Sequence, residues 1–248
     1  MGNARKLIGF ISAALLSGSS AVAEFDKHPM SSCIEDAMLV FDASGSMSGI
    51  DAYSPGSSVT RIDDARNALA QSLPHVTPQR RLGLITYGPG GHCHFTLNLR
   101  PAFNAAPQIM TELTGISPDG RTPLTSSVAE AANVLDYRNK AAVIVLLTDG
   151  AETCGGEPCK LAKALNATAK AITIHVVGYR MKDMIESNER DIGDMKCLAA
   201  ATGGRFIGVD SIPELVDALN STLGCPVFTQ MDTPFSRLID RTGQTITN

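Results

Sequence analysis

The sequence has no long run of basic residues, and its formal charge is −4 at pH 7. Without a basic patch there is no electrostatic attraction for a phosphate backbone, which argues against a nucleic-acid-binding function. The chain also lacks an apolar run near the roughly 20 residues that a membrane-spanning helix needs. The apolar stretch at 7–16 is about ten residues long. We therefore expect a soluble mature protein with no membrane span and no nucleic-acid partner.

The first 23 residues have the layout of a secretory signal peptide. Arg5 and Lys6 precede the apolar stretch, and a segment of small residues ends in Ala21-Val22-Ala23. No cysteine follows closely, so a lipoprotein anchor is not indicated. We expect cleavage after Ala23 and a periplasmic or secreted protein, with an uncleaved interfacial anchor as the alternative. Losing the two basic residues takes the formal charge from −4 to −6.

Apolar strands alternate with amphipathic helices along the rest of the chain. The clearest strand pattern is 141–148 (AAVIVLLT), which is apolar throughout, as in a strand covered on both faces. This alternation predicts an α/β domain with a mostly parallel sheet between two layers of helices. Strands are predicted at 37–41, 82–87, 95–99, 141–148, 172–178 and 205–209. Helices are predicted over 62–73, with Pro74 as the stop, and over 105–114, 124–135, 158–170, 191–202 and 213–223. The domain spans 24–225, followed by a polar tail at 226–248.

A loop rich in oxygen side chains follows the first predicted strand, in LVFDASGSMSG (39–49). One interpretation is a serine hydrolase, because Ser48, Asp149 and His175 occur in the order serine, acid, histidine. The spacing disfavours it, since Ser48 lies six residues past the strand end and His175 lies inside a strand. A phosphate-binding loop is also disfavoured, because no lysine occurs between Lys27 and Lys140 to close it.

The third interpretation is a metal site. Asp42, Ser44 and Ser46 stand at alternate positions of one tight loop, and Asp149 ends a second strand in Leu147-Thr148-Asp149-Gly150. Carboxyl ends of parallel strands meet at one edge of the sheet, where ligands bind. Thr122, at the start of the helix over 124–135, can add a hydroxyl. Two carboxylates and several hydroxyls suit a hard cation such as Mg²⁺. The alternative is a purely structural role, in which the two serines only cap backbone groups of a turn.

These residues resemble a known family. Asp42-Ala43-Ser44-Gly45-Ser46, Thr122 and Asp149-Gly150 are similar to the metal-ion-dependent adhesion site (MIDAS) of von Willebrand factor type A domains. The resemblance covers roughly 33–225 and implies a six-stranded sheet in the order 3-2-1-4-5-6 with 95–99 as an antiparallel edge strand. It also implies that Mg²⁺, Mn²⁺ or Ca²⁺ binds these five residues and that a partner's Asp or Glu completes the shell. The run GAETCGGEPC resembles a subgroup of bacterial members that carry cysteines after the strand ending in Thr148-Asp149-Gly150. The loop 49–58 is longer than in the family pattern, and the resemblance implies that it lies on the ligand face.

The six cysteines lie in a compartment where disulfides persist. In the implied fold the domain's ends lie together, which predicts a Cys33–Cys225 bond. For the others, Cys93–Cys154 with Cys159–Cys197 is favoured over a local bond between 154 and 159. A zinc site at His92-Cys93-His94 is a weaker alternative, since adjacent residues cannot all converge on one ion without further ligands.

The sequence therefore predicts an exported binding module without catalytic activity. Its cation would bridge to an acidic side chain of a partner protein. The alternative function is an accessory or maturation subunit of an envelope enzyme complex that uses the same metal residues. The sequence identifies neither the partner nor the oligomeric state.

Overall fold

Six strands form a single sheet in the computed structural model, which describes residues 33, 35–50, 58–181 and 189–225. The strands are β1 (Asp36–Asp42), β2 (Leu82–Gly88), β3 (His94–Ala102), β4 (Ala141–Thr148), β5 (Ala171–Tyr179) and β6 (Phe206–Val209). The helices are α1 (Arg61–Val76), α2 (Ala106–Thr114), α3 (Leu124–Val134), α4 (Pro158–Thr168), α5 (Glu189–Ala200) and α6 (Ile212–Leu223). The predicted signal peptide, the tail 226–248 and most of the 49–58 loop lie outside the described residues.

The strand order is β3-β2-β1-β4-β5-β6, and only the β2–β3 pair is antiparallel among these strands. The predicted sheet, mostly parallel with one antiparallel edge strand, is confirmed. In the register, Asp42 pairs with Tyr87, and Phe41 pairs with Leu147. The carboxyl ends of β1, β2 and β4 therefore reach the same edge of the sheet, which we call the carboxyl edge.

Side chains of the central strands alternate between two buried cores, one on each face of the sheet. In β1, Leu39 and Phe41 pack with the apolar faces of α1, α2 and α6. Met38 and Val40 point the other way and pack with α3, α4 and α5. Since β1 and β4 are covered on both faces, their continuous apolar sequences are explained. The result is the predicted three-layer α/β/α arrangement.

The first helix continues past Pro74, so the prediction that this proline ends it is wrong. Helix α1 ends at Val76, and Thr77 closes it with a backbone bond to Leu73 O. Proline lacks the N–H that would bond four residues back, and its ring crowds that turn. In α1 the missing hydrogen bond is in the last turn, because Pro74 is only two residues from the end of the helix. The apolar faces of Leu73 and Val76 stay buried and hold that turn in place.

Two of the disulfide bonds connect segments that are distant in sequence. Cys33 bonds to Cys225 with a Cα–Cα distance of 5.3 Å and closes 192 residues of sequence separation. Cys159 of α4 bonds to Cys197 of α5. Both pairs are those expected from the sequence. In the part of the chain that the structure describes, no helix has the length and apolarity needed to cross a membrane.

Candidate metal site at the carboxyl edge

Asp42 ends β1 and is fully buried at the carboxyl edge. The Ser44 N–H donates to its Oδ1 at 2.8 Å, and the Thr148 hydroxyl donates to its Oδ2 at 2.6 Å. The Tyr87 hydroxyl donates in turn to Thr148 Oγ1 at 3.2 Å. This chain of hydrogen bonds, which connects β1, β2 and β4, fixes the orientation of the carboxylate.

Asp149 follows β4 and lies beside the serine loop. The Ser46 hydroxyl donates to Asp149 Oδ1 at 2.7 Å and lies 3.1 Å from Ser44 Oγ. The other oxygen, Oδ2, accepts a hydrogen bond from Arg61 Nη1 at 2.8 Å. The Asp149 side chain is fully buried, and the Arg61 guanidinium is its cationic partner among the described residues. The fold thus brings together Asp42, Asp149 and both predicted serines.

Thr122 lies in a loop that packs directly on the serine loop. Gly45 N–H donates to Gly120 O at 3.1 Å. Gly120 has φ +74, and a Cβ there would lie 2.1 Å from Gly88 O, so only glycine allows this close packing. Thr122 is itself held by Thr153, which accepts from its N–H at 2.8 Å and donates to its carbonyl at 3.1 Å.

Burial and like charge act together on Asp42. Desolvation by burial and, to a smaller extent, the negative charge of Asp149 raise its pKa to about 6. The hydrogen bonds from Ser44 and Thr148 oppose this rise and only partly offset it. Two buried carboxylates are therefore held side by side with incomplete charge compensation.

This donor set suits a hard divalent cation. Carboxylate and hydroxyl oxygens are the ligands that Mg²⁺ and Ca²⁺ prefer, and a bound cation would relieve the repulsion between Asp42 and Asp149. The Thr122 hydroxyl forms no hydrogen bond with the described residues and is available as a ligand. In the described ranges, no three or more His, Cys, Asp or Glu side chains are grouped so that they could hold a metal ion. The candidate ligands are thus two carboxylates and three hydroxyls: Asp42, Ser44, Ser46, Thr122 and Asp149.

A disulfide bond borders the candidate site. Cys93 bonds to Cys154 with a Cα–Cα distance of 5.7 Å, as favoured from the sequence. It joins the loop after β2 to the loop after Asp149. Its sulfur is no longer a thiolate, and His94 Nε2 lies 3.3 Å from Thr96 Oγ1, so the described contacts do not favour a zinc site at 92–94.

Ser48, Asp149 and His175, the residues of the hydrolase alternative, share no hydrogen bond in the described part of the chain. The Ser48 hydroxyl donates to Gly45 O at 2.7 Å, which closes a turn. His175 lies within β5, and its Nδ1 accepts a hydrogen bond from Arg205 N–H at 3.1 Å. The described hydrogen-bond partners of Asp149 are Ser46 and Arg61.

Two residues of the site were not identified from the sequence. Thr148 was visible only as the residue before Asp149, although its hydroxyl bonds to Asp42. Arg61 is separated from Asp149 by 88 residues, and no spacing rule relates them. The available signal was the T-x-x-D capping pattern from Thr60 to Asp63, which predicts that a helix begins at Arg61.

The fold and the site together define an α/β domain with a group of carboxylate and hydroxyl side chains at the carboxyl ends of its central strands. The profile of the von Willebrand factor type A domain family matches residues 37–152. The uncharacterized protein YwmC of Bacillus subtilis is 30% identical over 185 residues, which cover 68% of this chain and 74% of YwmC. The chain belongs to the von Willebrand factor type A domain family.

Solved structures share this fold at low sequence identity. An aerotolerance-related membrane protein of Bacteroides fragilis is 18% identical with a TM-score of 0.57, over 76% of this chain and 98% of that one. The von Willebrand factor domain of the type V pili tip protein Mfa5 of Porphyromonas gingivalis is 13% identical with a TM-score of 0.56. That similarity covers 77% of this chain and 94% of the pilus protein.

Proposed function

We propose that this protein is an exported, metal-dependent protein-binding module. Its candidate site would hold Mg²⁺, or Mn²⁺ or Ca²⁺, and capture an Asp or Glu side chain of a partner protein. The family and the similarity to pilus proteins support a protein-interaction module. The cation and the acidic partner are our proposal.

The observation that carries the proposal is that Asp42 and Asp149 lie next to the same two serine side chains. These carboxylates come from the ends of different strands, and three contacts link them through the serine loop. Ser44 N–H donates to Asp42 at 2.8 Å, Ser44 Oγ lies 3.1 Å from Ser46 Oγ, and the Ser46 hydroxyl donates to Asp149 at 2.7 Å. Three backbone and side-chain bonds hold Thr122 and its loop against the same edge. Such an arrangement concentrates negative charge and neutral oxygen donors at one point of the surface.

The protein's own residues would hold and orient the cation. Asp42 and Asp149 supply two negative charges, and Ser44, Ser46 and Thr122 supply neutral oxygens. The negative charge of the ligands would therefore not exceed the positive charge of a divalent ion. When bound, the cation supplies an electrophilic contact for an acidic group of the partner. Ser46 is exposed, which leaves this side of the site open to a partner.

The three disulfide bonds indicate an extracytoplasmic protein, because disulfides persist in oxidising compartments. We propose that the first 23 residues direct this export as a cleaved signal peptide. A binding role rather than a catalytic one is favoured by the described side chains that contact Asp42 and Asp149. They are hydroxyls and a guanidinium, with no imidazole or thiol among them.

The first test is a calorimetric titration of the EDTA-treated protein with Mg²⁺ and with Mn²⁺. We expect one cation per chain for the wild type. Asp42→Ala should weaken binding by about 100-fold or more, because losing even an outer partner of a metal ligand typically costs roughly 10–100-fold. Asp36→Ala is the matched control, since Asp36 begins the same strand and forms a salt bridge with Arg81 at the other end. Equal affinity in Asp42→Ala and wild type would contradict a metal role for this site.

The second test identifies the partner by capture from an envelope extract, with and without EDTA. Partners of the proposed kind should bind wild type, but should be lost with EDTA and with Asp42→Ala. A captured surface protein would support adhesion. A captured enzyme subunit would support the alternative role as an accessory or maturation subunit. Capture that survives both treatments would contradict the metal bridge.

A further inference from the structure

Arg61 places a positive charge inside the candidate metal site. Its Nη1 lies 2.8 Å from Asp149 Oδ2, and the Asp149 side chain is fully buried while that of Arg61 is 30% exposed. A guanidinium thus occupies one oxygen of a carboxylate that is also a candidate cation ligand. Ser46 donates to the other oxygen, so each oxygen of the Asp149 carboxylate accepts a hydrogen bond.

The local structure holds Arg61 in this position. Thr60 is the N-cap of α1 and forms a capping box with Asp63, which makes Arg61 the first helical residue. Arg61 N–H donates to Gly49 O at 3.0 Å. A Cβ on Gly49 would lie 3.3 Å from Arg61 Nε, so the side chain passes close over this glycine. The position of the guanidinium is therefore built into the junction of the serine loop with α1.

The charges of the two carboxylates and of Arg61 determine how the salt bridge affects cation binding. Asp42 and Asp149 are two buried carboxylates, and Arg61 supplies one compensating positive charge. A divalent cation bound to the same carboxylates would meet the guanidinium as a like charge at close range, in a partly buried setting where Coulomb interactions are stronger than in water. The salt bridge with Asp149 and the cation therefore oppose each other.

We propose that Arg61 is an intramolecular competitor of the divalent cation. It stabilises Asp149 when no cation is bound, and it lowers the affinity of the site for the cation. This inference rests on the proposed function, because it requires that the site bind a cation. It identifies Arg61 as the residue that sets the cation concentration at which the site fills.

The test compares wild type, Arg61→Gln and Arg61→Lys with Arg81→Gln as the matched control. Arg81 also pairs with an aspartate, Asp36, but at the opposite end of the sheet. For each variant, Mg²⁺ and Mn²⁺ affinities are measured by calorimetry, and thermal midpoints are measured in EDTA and in saturating cation. Asp42→Ala is included to report on the site itself.

We expect Arg61→Gln to bind the cation about tenfold more tightly or better, which corresponds to about 1.4 kcal/mol. Its thermal midpoint should fall in EDTA and recover with cation, so its cation-induced rise should exceed that of wild type. Arg61→Lys should lie between the two, because an ammonium keeps the charge but loses the planar fork that pairs with a carboxylate. Arg81→Gln should keep the wild-type affinity.

These measurements distinguish a failure of the competitor role from a failure of the proposed function. If wild type binds the cation and Arg61→Gln binds it equally or more weakly, the competitor role is overturned while the proposed function stands. If neither protein binds a cation, the proposed function itself fails. If Arg61→Gln folds only with cation, the proposal is supported. If it does not fold in either condition, Arg61→Lys decides, and an affinity at or below that of wild type overturns the proposal.

Discussion

His175 is a half-buried histidine in the middle of β5. Its Nδ1 accepts a hydrogen bond from Arg205 N–H, which requires a neutral ring with its proton on Nε2. Burial and, to a smaller extent, the positive charges of Arg205 and Arg80 lower the pKa of His175 to about 4. Glu35 and Asp217 line the same cavity. Protonation would break the bond to Arg205 and add a third positive charge.

The His175 environment predicts a pH dependence of stability. The unfolded chain binds this proton with a pKa of 6.5 and the folded chain with a pKa of about 4, so the unfolded state gains the proton first as the pH falls. The stability that His175 contributes as a neutral ring is therefore full above pH 6.5 and is lost progressively between pH 6.5 and pH 4.

Urea denaturation at pH 7.5 and at pH 4.5 measures this effect. Wild type should lose more of its free energy of unfolding between the two pH values than His175→Gln, which keeps an acceptor for Arg205. His75→Gln, which replaces an exposed histidine of α1, is the matched control and should follow wild type. An equal loss in wild type and His175→Gln would rule out this account.

The sequence indicated the carboxylates and hydroxyls of the candidate site because short local patterns specify them. Asp42, Ser44 and Ser46 lie within five residues, and the end of an apolar strand predicts the position of Asp149. Arg61 and Thr148 could not be assigned, because their roles depend on the orientation of side chains between separate elements. The partner of Arg61 is 88 residues away, and several arginines could have formed that salt bridge.

Helix α1 begins with a capping box, which is the local feature that fixes its first turn. The Thr60 hydroxyl accepts from Asp63 N–H, and Asp63 Oδ2 accepts from Thr60 N–H at 3.2 Å. Two of the backbone donors left free at a helix start are thereby satisfied. The Thr60 hydrogen bond to Asp63 also holds the pKa of that carboxyl below its usual range.

Replacing the cap should weaken the whole domain. Thr60→Ala removes the acceptor for Asp63 N–H, and we expect the free energy of unfolding to fall by about 1 kcal/mol. Urea denaturation in EDTA measures this loss without a contribution from bound cation. The control is Thr111→Ala, an exposed position inside α2, where we expect a change within about 0.5 kcal/mol. A Thr60→Ala variant as stable as wild type would show that the cap does not hold this helix.

Element types were predictable where the hydrophobic period was strong. The continuous apolar run of β4 and the one-face periodicity of α6 reflect burial on two faces and on one face respectively. Pro74 shows where the local rule failed. Its effect as a helix stop depends on the tertiary contacts of the residues around it, and Leu73 and Val76 are buried in the core. Such contacts are not visible in a local pattern.

At the scale of the whole molecule, three disulfide bonds connect distant segments. Their sequence separations are 192, 61 and 38 residues. A crosslink restricts the unfolded chain more when it closes a longer loop. The bond between Cys33 and Cys225 should therefore contribute most to the stability of the domain.

Paired alanine variants test this ranking. Removing the Cys33–Cys225 bond should lower the free energy of unfolding by on the order of 4–5 kcal/mol, and removing the Cys159–Cys197 bond by about 3–4 kcal/mol. Both values fall if the native bonds carry strain. Urea denaturation under oxidising conditions gives the comparison, with wild type as the reference. The ranking would be refuted if the variant without Cys33 and Cys225 were the more stable of the two.

The position of the Cys33–Cys225 bond also determines how the domain responds to tension. Cys33 lies just before β1, while Asp42 ends the same strand at the carboxyl edge. A pull between attachments outside the two cysteines would pass through the sulfur–sulfur bond and leave the sheet unloaded. A pull between this bond and a partner held at the carboxyl edge would run lengthwise along β1. It would shear the hydrogen bonds to β2 and β4 together, a geometry that resists rupture better than opening them one at a time.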